Sequence, residues 1–482
     1  MSAFAIDPLA GILLIPIAAA GLLALISDYR LSARLNVAAS LATLLAALLL
    51  FVERPAVGPY LFVDDLNIVF VVLSTFVGFT TSLFSASYIA HELDTGKLTP
   101  AYLRFYHAIY QVMMFGMNLA LVSNNLGLMW VAIELATLST VVMVGIYRTH
   151  EALEAAWKYF ILGSVGIGRA LFGTILVYMA ARPVIGEGLD AIIWTTVIQR
   201  VANFDPALLN VAFVFLLLGY GTKVGLAPLH AWLPDAHAEG PTPISAVLSG
   251  LLLNVALYAL LRFKILLALN PAVIAPGPLM VSLGLISCLF AALMLYRRRD
   301  IKRMFAYSSI EHMGIIVFAF GMGGPLANFA GLLHMTMHSL TKSAIFFAVG
   351  HVAQAKGTQK IADMGGLTVT HPVLGWGLVL GVVAIAGLPP LGIFMSEFLM
   401  VSSTFAREPW LAVILVAGIL VALGGLFLRL NTIAFGEPRG PAARAQASYV
   451  PMFAHLALVF MAGIYMPPAL VAGFENVARL LG

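Results

Sequence analysis

The 482-residue sequence contains a single cysteine, Cys288. One thiol closes no intrachain disulfide and supplies no thiolate-ligated cluster or zinc knuckle. It is expected to pack in a helix interface. Charge is scarce too: Asp, Glu, Lys and Arg make up 10% of the chain, where a soluble domain carries about 25%. No glycine-rich phosphate loop follows a strand, and no stretch between apolar runs is large enough for a soluble domain. Redox and nucleotide chemistry are thus expected in partners, and no cofactor or metal is assigned to this chain. Ahead of the apolar run from Pro8 there is no basic lead or small-residue cleavage pattern. That run reads as a retained helix rather than a signal peptide.

What the sequence does have is hydrocarbon: 61% of residues are hydrophobic. A helix needs about 20 apolar residues to cross a bilayer core, and the chain supplies about fourteen such runs. The expected fold class is an all-α membrane protein, a single transmembrane domain over residues 1–482. The net charge of +4 is densest at Arg297, Arg298, Arg299, Lys302 and Arg303. This reads as a topology anchor, not a nucleic-acid surface. Loops after odd-numbered runs also hold Arg30, Arg34, Lys97, Arg104, Arg148, Lys158, Lys356, Lys360, Arg439 and Arg444. Even loops and the tail hold fewer: Arg54, Arg182, Arg200, Arg262, Lys264, Arg407 and Arg479. By the positive-inside rule both termini face outward from a bacterial inner membrane.

Gly225-Leu226-Ala227-Pro228-Leu229 in the seventh run recurs as Gly387-Leu388-Pro389-Pro390-Leu391 in the twelfth. In that register Asp235 falls opposite Glu397. Proline interrupts a helix by removing a donor and crowding the preceding turn. Paired interruptions in corresponding positions point to inverted repeats with a broken helix in each half.

An ionisable group at mid-bilayer costs about 2.5–3.5 kcal/mol on insertion scales, so each one needs a reason. Glu134 sits within its run and Lys223 just before the first interruption. His334, His338 and Lys342 recur every fourth residue and so share one helix face. A histidine pair at this spacing can bind a metal, but a lysine next on the stripe and no third ligand favour a hydrated proton relay. The same stripe favours protons over sodium. Glu397 follows the second interruption and reads as the end of the row. His230, Asp235 and His237 flank the first, either extending the path or capping broken helix ends. Glu311-His312, close to a helix end, reads as a proton uptake site or an interface pair. Arg169 lies within a run and cannot deprotonate, so it relays nothing.

The block from Lys223 through Gly225-Leu226-Ala227-Pro228-Leu229-His230-Ala231-Trp232-Leu233-Pro234-Asp235-Ala236-His237 to Gly240-Pro241-Thr242 resembles a known signature. It is that of the antiporter-like subunits of respiratory complex I, membrane-bound hydrogenases and multisubunit sodium/proton antiporters. The stretch from Asp300 to Gly314 supports it, and Glu311-His312 is most similar to the hydrogenase-4 component F branch. The resemblance covers essentially the whole chain. It implies two inverted five-helix repeats, about 104–269 and 275–435, with helices 7 and 12 broken. It also implies roles: Glu134 as charge partner, Lys223 as pumping lysine, Lys342 as central lysine and Glu397 as terminal residue. Asn254 stands where many members have a bridging lysine or histidine, and it cannot take up and release a proton.

The resemblance further implies other membrane subunits and a soluble redox arm as partners, in an oxidoreductase complex whose redox centres lie outside this chain. The mechanism to expect is electrostatic switching. At an effective dielectric of about 20 and about 6 Å, a Glu–Lys attraction is worth ~3 kcal/mol. That is about a hundredfold in proton affinity. Two other readings are a structural spacer with an impaired path, and a proton-gradient-coupled partner of a soluble protein, as in inorganic carbon uptake.

Overall fold

The computed structural model describes residues 7–441 and 448–482, so Arg444 lies outside the described residues. The long helices of the first half are α1 (Pro8–Leu25), α2 (Tyr29–Leu48), α3 (Asp65–Asp94), α4 (Tyr106–Val122), α5 (Leu126–Val144), α6 (His150–Ile185) and α7 (Pro206–Val224). A short α8 (Trp232–Glu239) precedes α9 (Thr242–Ala268), α10 (Gly277–Leu295), α11 (Ile301–Met322) and α12 (Pro325–Lys356). Then come α13 (Pro372–Ile385), α14 (Gly392–Arg407), α15 (Pro409–Leu430), α16 (Val450–Ile464) and α17 (Pro468–Leu480). Among the described residues, β-structure amounts to isolated bridges such as Leu61 with Ser123.

Among the described residues, eleven helices are long and apolar enough to cross a membrane, or up to twelve if the bent pair α16 and α17 forms one span. The chain is therefore an all-helical, multi-pass membrane protein. The count falls below the expected fourteen for identifiable reasons. α12 runs for 32 residues, but its histidines and lysines dilute its hydropathy. α13 and α14 are each short, because the chain leaves the helix between Ile385 and Gly392.

Helix starts follow local capping chemistry. The side chains of Asp28, Asn125 and Asp300 accept from backbone amides of Leu31, Leu128 and Arg303 at 2.6, 2.9 and 2.9 Å. Each satisfies one of the orphan donors of a first turn.

The chain divides into two compact units. The first comprises Met1–Ser82, Gly96–Val224 and Leu252–Pro276, the second Leu83–Thr95, Gly225–Leu251 and Gly277–Gly482. Within the first, α6 and α7 approach closely through small residues. A Cβ on Gly166 would lie 2.7 Å from the Thr222 Cβ, and one on Gly219 would lie 2.5 Å from the Ala170 nitrogen. Such contacts hold helices together in lipid, where no hydrophobic force drives them. In the second unit, Cys288 packs against a core that includes Ile315, Phe318 and Met400.

Two groups of charges stand elsewhere than the loop count placed them. Arg262 and Lys264 are not loop residues; they lie inside α9 and are buried. Asp64 makes this possible for Arg262, accepting from Nη1 and Nη2 at 2.6 and 2.7 Å. Tyr258 Oη accepts from Nε at 3.0 Å, and the rings of Phe62 and Trp194 cover the guanidinium at 4.7 and 4.5 Å. Lys302 and Arg303 are likewise more than a surface anchor, because they open α11 and bind α8. Lys302 Nζ donates to the Ala238 and Gly240 carbonyls at 3.0 and 2.5 Å. That fits a cation to the carbonyl end of a helix. Arg303 pairs with Asp235 and Glu239 at 2.7 and 3.1 Å.

Burial alone would raise the Asp64 carboxyl, but Arg262 and the amides of Asn67 and Leu66 hold it below its usual range. A depressed carboxyl contributes stability above its unfolded value, and loses it as pH falls through the folded value. Asp64→Asn is expected to cost about 3 kcal/mol at neutral pH, because it strands a buried guanidinium. Arg262→Met should cost less, since the remaining Asp64 side chain is 25% exposed and can hydrate. Melting in detergent checks both: the wild-type advantage over Asp64→Asn should persist at pH 7 and shrink below about pH 4.

Candidate functional site: buried titratable rows

In the first unit the site is built where α5, α6 and α7 meet. Lys223, in the last turn of α7, is 1% exposed. Its Nζ lies against Gly163, where an added Cβ would stand 2.9 Å from it, and 5.4 Å from the centre of the Tyr159 ring. That ring is held by Tyr159 Oη and Thr140 Oγ1 at 2.8 Å. Glu134 of α5 is half-buried, hydrogen-bonded to Ser164 and electrostatically coupled to Lys223. Glu134 Oε2 and Lys223 Nζ have no hydrogen-bond partner among the described residues. Two opposite charges thus face each other with donor and acceptor capacity unspent, a site suited to ordered water. Asn254, 2% exposed, follows a π-helical turn over Leu248–Leu252 in α9. Such turns favour functional positions.

The two interruptions share one build. α7 ends at Val224, Gly225 adopts φ 83°, and a cis Ala227–Pro228 bond leads toward α8. α13 ends at Ile385, Gly387 adopts φ 65°, and a cis Pro389–Pro390 bond leads into α14. Positive φ is where glycine is the permissive residue. The freed Ala227 amide donates to Ser287 Oγ at 2.9 Å. Beyond the first interruption, His230 packs on Phe290 with centroids 4.8 Å apart, and His237 stacks on Phe346 at 4.8 Å. Both His237 ring nitrogens lack a partner among the described residues. Asp235 turns instead toward Arg303. Glu397 folds back over the second interruption, so that a Cβ on Gly387 would collide with its Oε2.

The densest group is in the second unit, where α11, α12 and α14 meet. His334, His338 and Lys342 are fully buried on α12, and Glu311 and His312 of α11 join them. Ser396 Oγ donates to the Ile393 carbonyl at 2.7 Å and so accepts from His334 Nδ1 at 2.9 Å. The His334 Nε2 lone pair then receives His312 Nδ1–H at 2.9 Å. With both rings neutral, that leaves the His312 Nε2 lone pair facing Glu311 Oε2, 3.2 Å away and off hydrogen-bond alignment. With that serine orientation both rings carry their proton on Nδ1; the Ile385 carbonyl also lies within hydrogen-bond reach of His312. Lys342 Nζ donates to the Phe305 carbonyl at 3.0 Å and is coupled electrostatically to Glu311. The His338 ring centre is 5.6 Å from that of His312, and its nitrogens lack partners among the described residues.

An imidazole can take a proton at one nitrogen and release one from the other, so two in series have the chemistry a proton relay needs. His312, His334 and Glu397 offer ligand atoms within 4.8 Å. However, the two imidazole nitrogens are 2.9 Å apart, the distance of a shared proton. Two ligands at tetrahedral zinc, with bonds of about 2.0–2.1 Å, stand farther apart.

The structure thus brings Glu134 to Lys223 in one unit. In the other it brings Glu311 and His312 to His334, His338, Lys342 and Glu397. It does not bring Asp235 to that row. Ser396, Ser164 and Tyr159 escaped sequence reasoning. Ser396 immediately precedes Glu397, and Gly163 with Gly166 marks one helix face; these were the available signals.

Residues 123–423 match the family model described as NADH:quinone oxidoreductase/Mrp antiporter, TM. A hydrogenase-4 component F homolog of Methylacidiphilum infernorum is 63% identical over 472 residues, 98% of this chain and 99% of the relative. A chain of the membrane-bound sulfane sulfur reductase, an archaeal respiratory membrane complex, superposes with TM-score 0.87 at 22% identity, covering 98% of this chain and 97% of that one. A chain of respiratory complex I from Thermus thermophilus gives TM-score 0.81 at 20% identity, covering 98% and 100%. At such identities the structural likeness concerns the fold.

Proposed function

Because this chain belongs to the NADH:quinone oxidoreductase/Mrp antiporter membrane family, we propose that it translocates protons within a hydrogenase- or complex I-like assembly. The observation that carries this reading is the buried Ser396–His334–His312 chain, ending at Glu311 beside Lys342. Dry structural packing gives no reason to bury so many titratable groups together, since each is costly in hydrocarbon.

In this proposal the chain crosses the inner membrane fourteen times as two inverted repeats, about 104–269 and 275–435, with both termini outside. The path comprises Glu134, Lys223, His230, Asp235, His237, Asn254, His334, His338, Lys342 and Glu397; Glu311 and His312, expected near a helix end as an uptake site, are instead buried midway along α11 and continue the row from inside. Asn254 serves by orienting water, because its amide does not titrate. Asp235, partly exposed and paired with Arg303, suits the surface end. Electrostatic coupling drives each step: Lys223 keeps its proton while Glu134 is ionised nearby, and desolvation favours release when that charge is withdrawn. The driving force comes from redox chemistry in partner subunits.

Proton uptake into vesicles holding the reconstituted complex tests this. Glu134→Gln removes an attraction of ~3 kcal/mol, so translocation per redox turnover should fall at least about tenfold while assembly stays normal. Undiminished translocation would favour the spacer reading.

A further inference from the structure

Arg169 has no place in that path. It stands in the middle of α6, a candidate membrane span. At about 1.5 Å per residue it is about 16 Å along the helix from Lys158 and about 20 Å from Arg182. Those are the nearest charged positions on α6 to either side, and both are exposed, at 47% and 56%. A side chain cannot cover such a distance, so Arg169 does not snorkel to either bilayer surface. Nor does it face inward to a counter-charge: it is partly exposed and makes no hydrogen bond or ion pair among the described residues. Its helix face is otherwise apolar and open, with Ile161, Val165 and Phe172 exposed at 54%, 49% and 46%. At Gly168, next to it, an added Cβ would meet nothing within 4 Å.

A guanidinium stays charged in hydrocarbon, at a cost of about 2.5–3.5 kcal/mol on insertion scales, and an anion supplied at that depth by another molecule would offset it. Lipid phosphates lie at the surface of a core about 30 Å thick, roughly half that distance from Arg169. A transmembrane helix can present a carboxylate there, and Gly168 leaves it room for close approach. We infer that the α6 face centred on Arg169 docks a transmembrane helix of another subunit, one carrying an aspartate or glutamate at mid-bilayer.

The test uses the whole complex in its native membrane, with a photo-crosslinking phenylalanine analogue at Phe172. The expected product joins this chain to a transmembrane segment of another subunit that bears an Asp or Glu. Arg169→Leu should insert as well as wild type, because it removes a charge from lipid. Recovery in the assembled complex should nevertheless fall at least about tenfold, while Arg169→Lys keeps part of it. Arg169→Glu should abolish assembly, and the reciprocal change of the crosslinked carboxylate to arginine should restore it. Normal assembly of Arg169→Leu, crosslinks to lipid alone, or a charge swap without rescue would each overturn the inference.

Discussion

Lys223→Met is expected to bring proton translocation below detection without dismantling the complex. The ammonium is 1% exposed, lies against Gly163 and the Tyr159 ring, and has Glu134 as its counter-charge. Methionine fills a similar volume and is tolerated in apolar packing, so folding should survive. What disappears is the group that would bind a proton at that point of the proposed path. Glu134→Gln weakens the same step by removing the field that holds the proton, and is therefore the milder change. Gly163→Ala belongs to the same series: its new Cβ would sit 2.9 Å from Nζ and displace the lysine from its place. Dye-detected proton uptake into vesicles, normalised to redox turnover, should rank the three as Lys223→Met, then Glu134→Gln and Gly163→Ala. Wild-type uptake by Lys223→Met would remove Lys223 from the path.

His334→Gln should be about as severe, at least about a hundredfold in translocation, for a different reason. Glutamine donates to Ser396 and accepts from His312, so the packing and the hydrogen bonds at 2.9 Å on either side can persist. An amide does not pick up a proton at one atom and release it from another, so the proposed relay would be cut at its centre. Ser396→Ala is the informative companion. It leaves His334 able to titrate but deprives Nδ1–H of its acceptor, a loss of about 1–3 kcal/mol, and so slows translocation without abolishing it. If Ser396→Ala is silent while His334→Gln is dead, the proton leaves His334 toward another acceptor. If both are silent, the histidine chain is structural.

Much of this was legible in one dimension. The shortage of charge and the apolar runs fixed the solvent, and the signature block around Pro228 fixed the family. The spacing of His334, His338 and Lys342 also survives as one fully buried stripe on α12, because a helix converts sequence spacing directly into a face. Other residues were misread or missed. Arg262 and Lys264 counted as loop charges because a window on the sequence sees two cations, not the carboxylate that pairs with Arg262 from Asp64. Lys302 looked like an anchor for topology, but it caps the carbonyl end of α8. Ser396 looked like any helix serine until its hydroxyl was seen to orient His334.

The sequence alone determined the helical class, the positions of both interruptions and the identity of the titratable groups. Those properties follow from composition and from periodicity within one segment. Only the tertiary structure decided which groups meet: Glu311 and His312 of α11 with His334 of α12, and Ser396 of α14 behind them. It also decided that Arg169 faces outward while Lys223 faces in. The reason is that contact between helices depends on their rotation and register. These are set by packing of small residues such as Gly163 and Gly166, summed over partners far away in the chain.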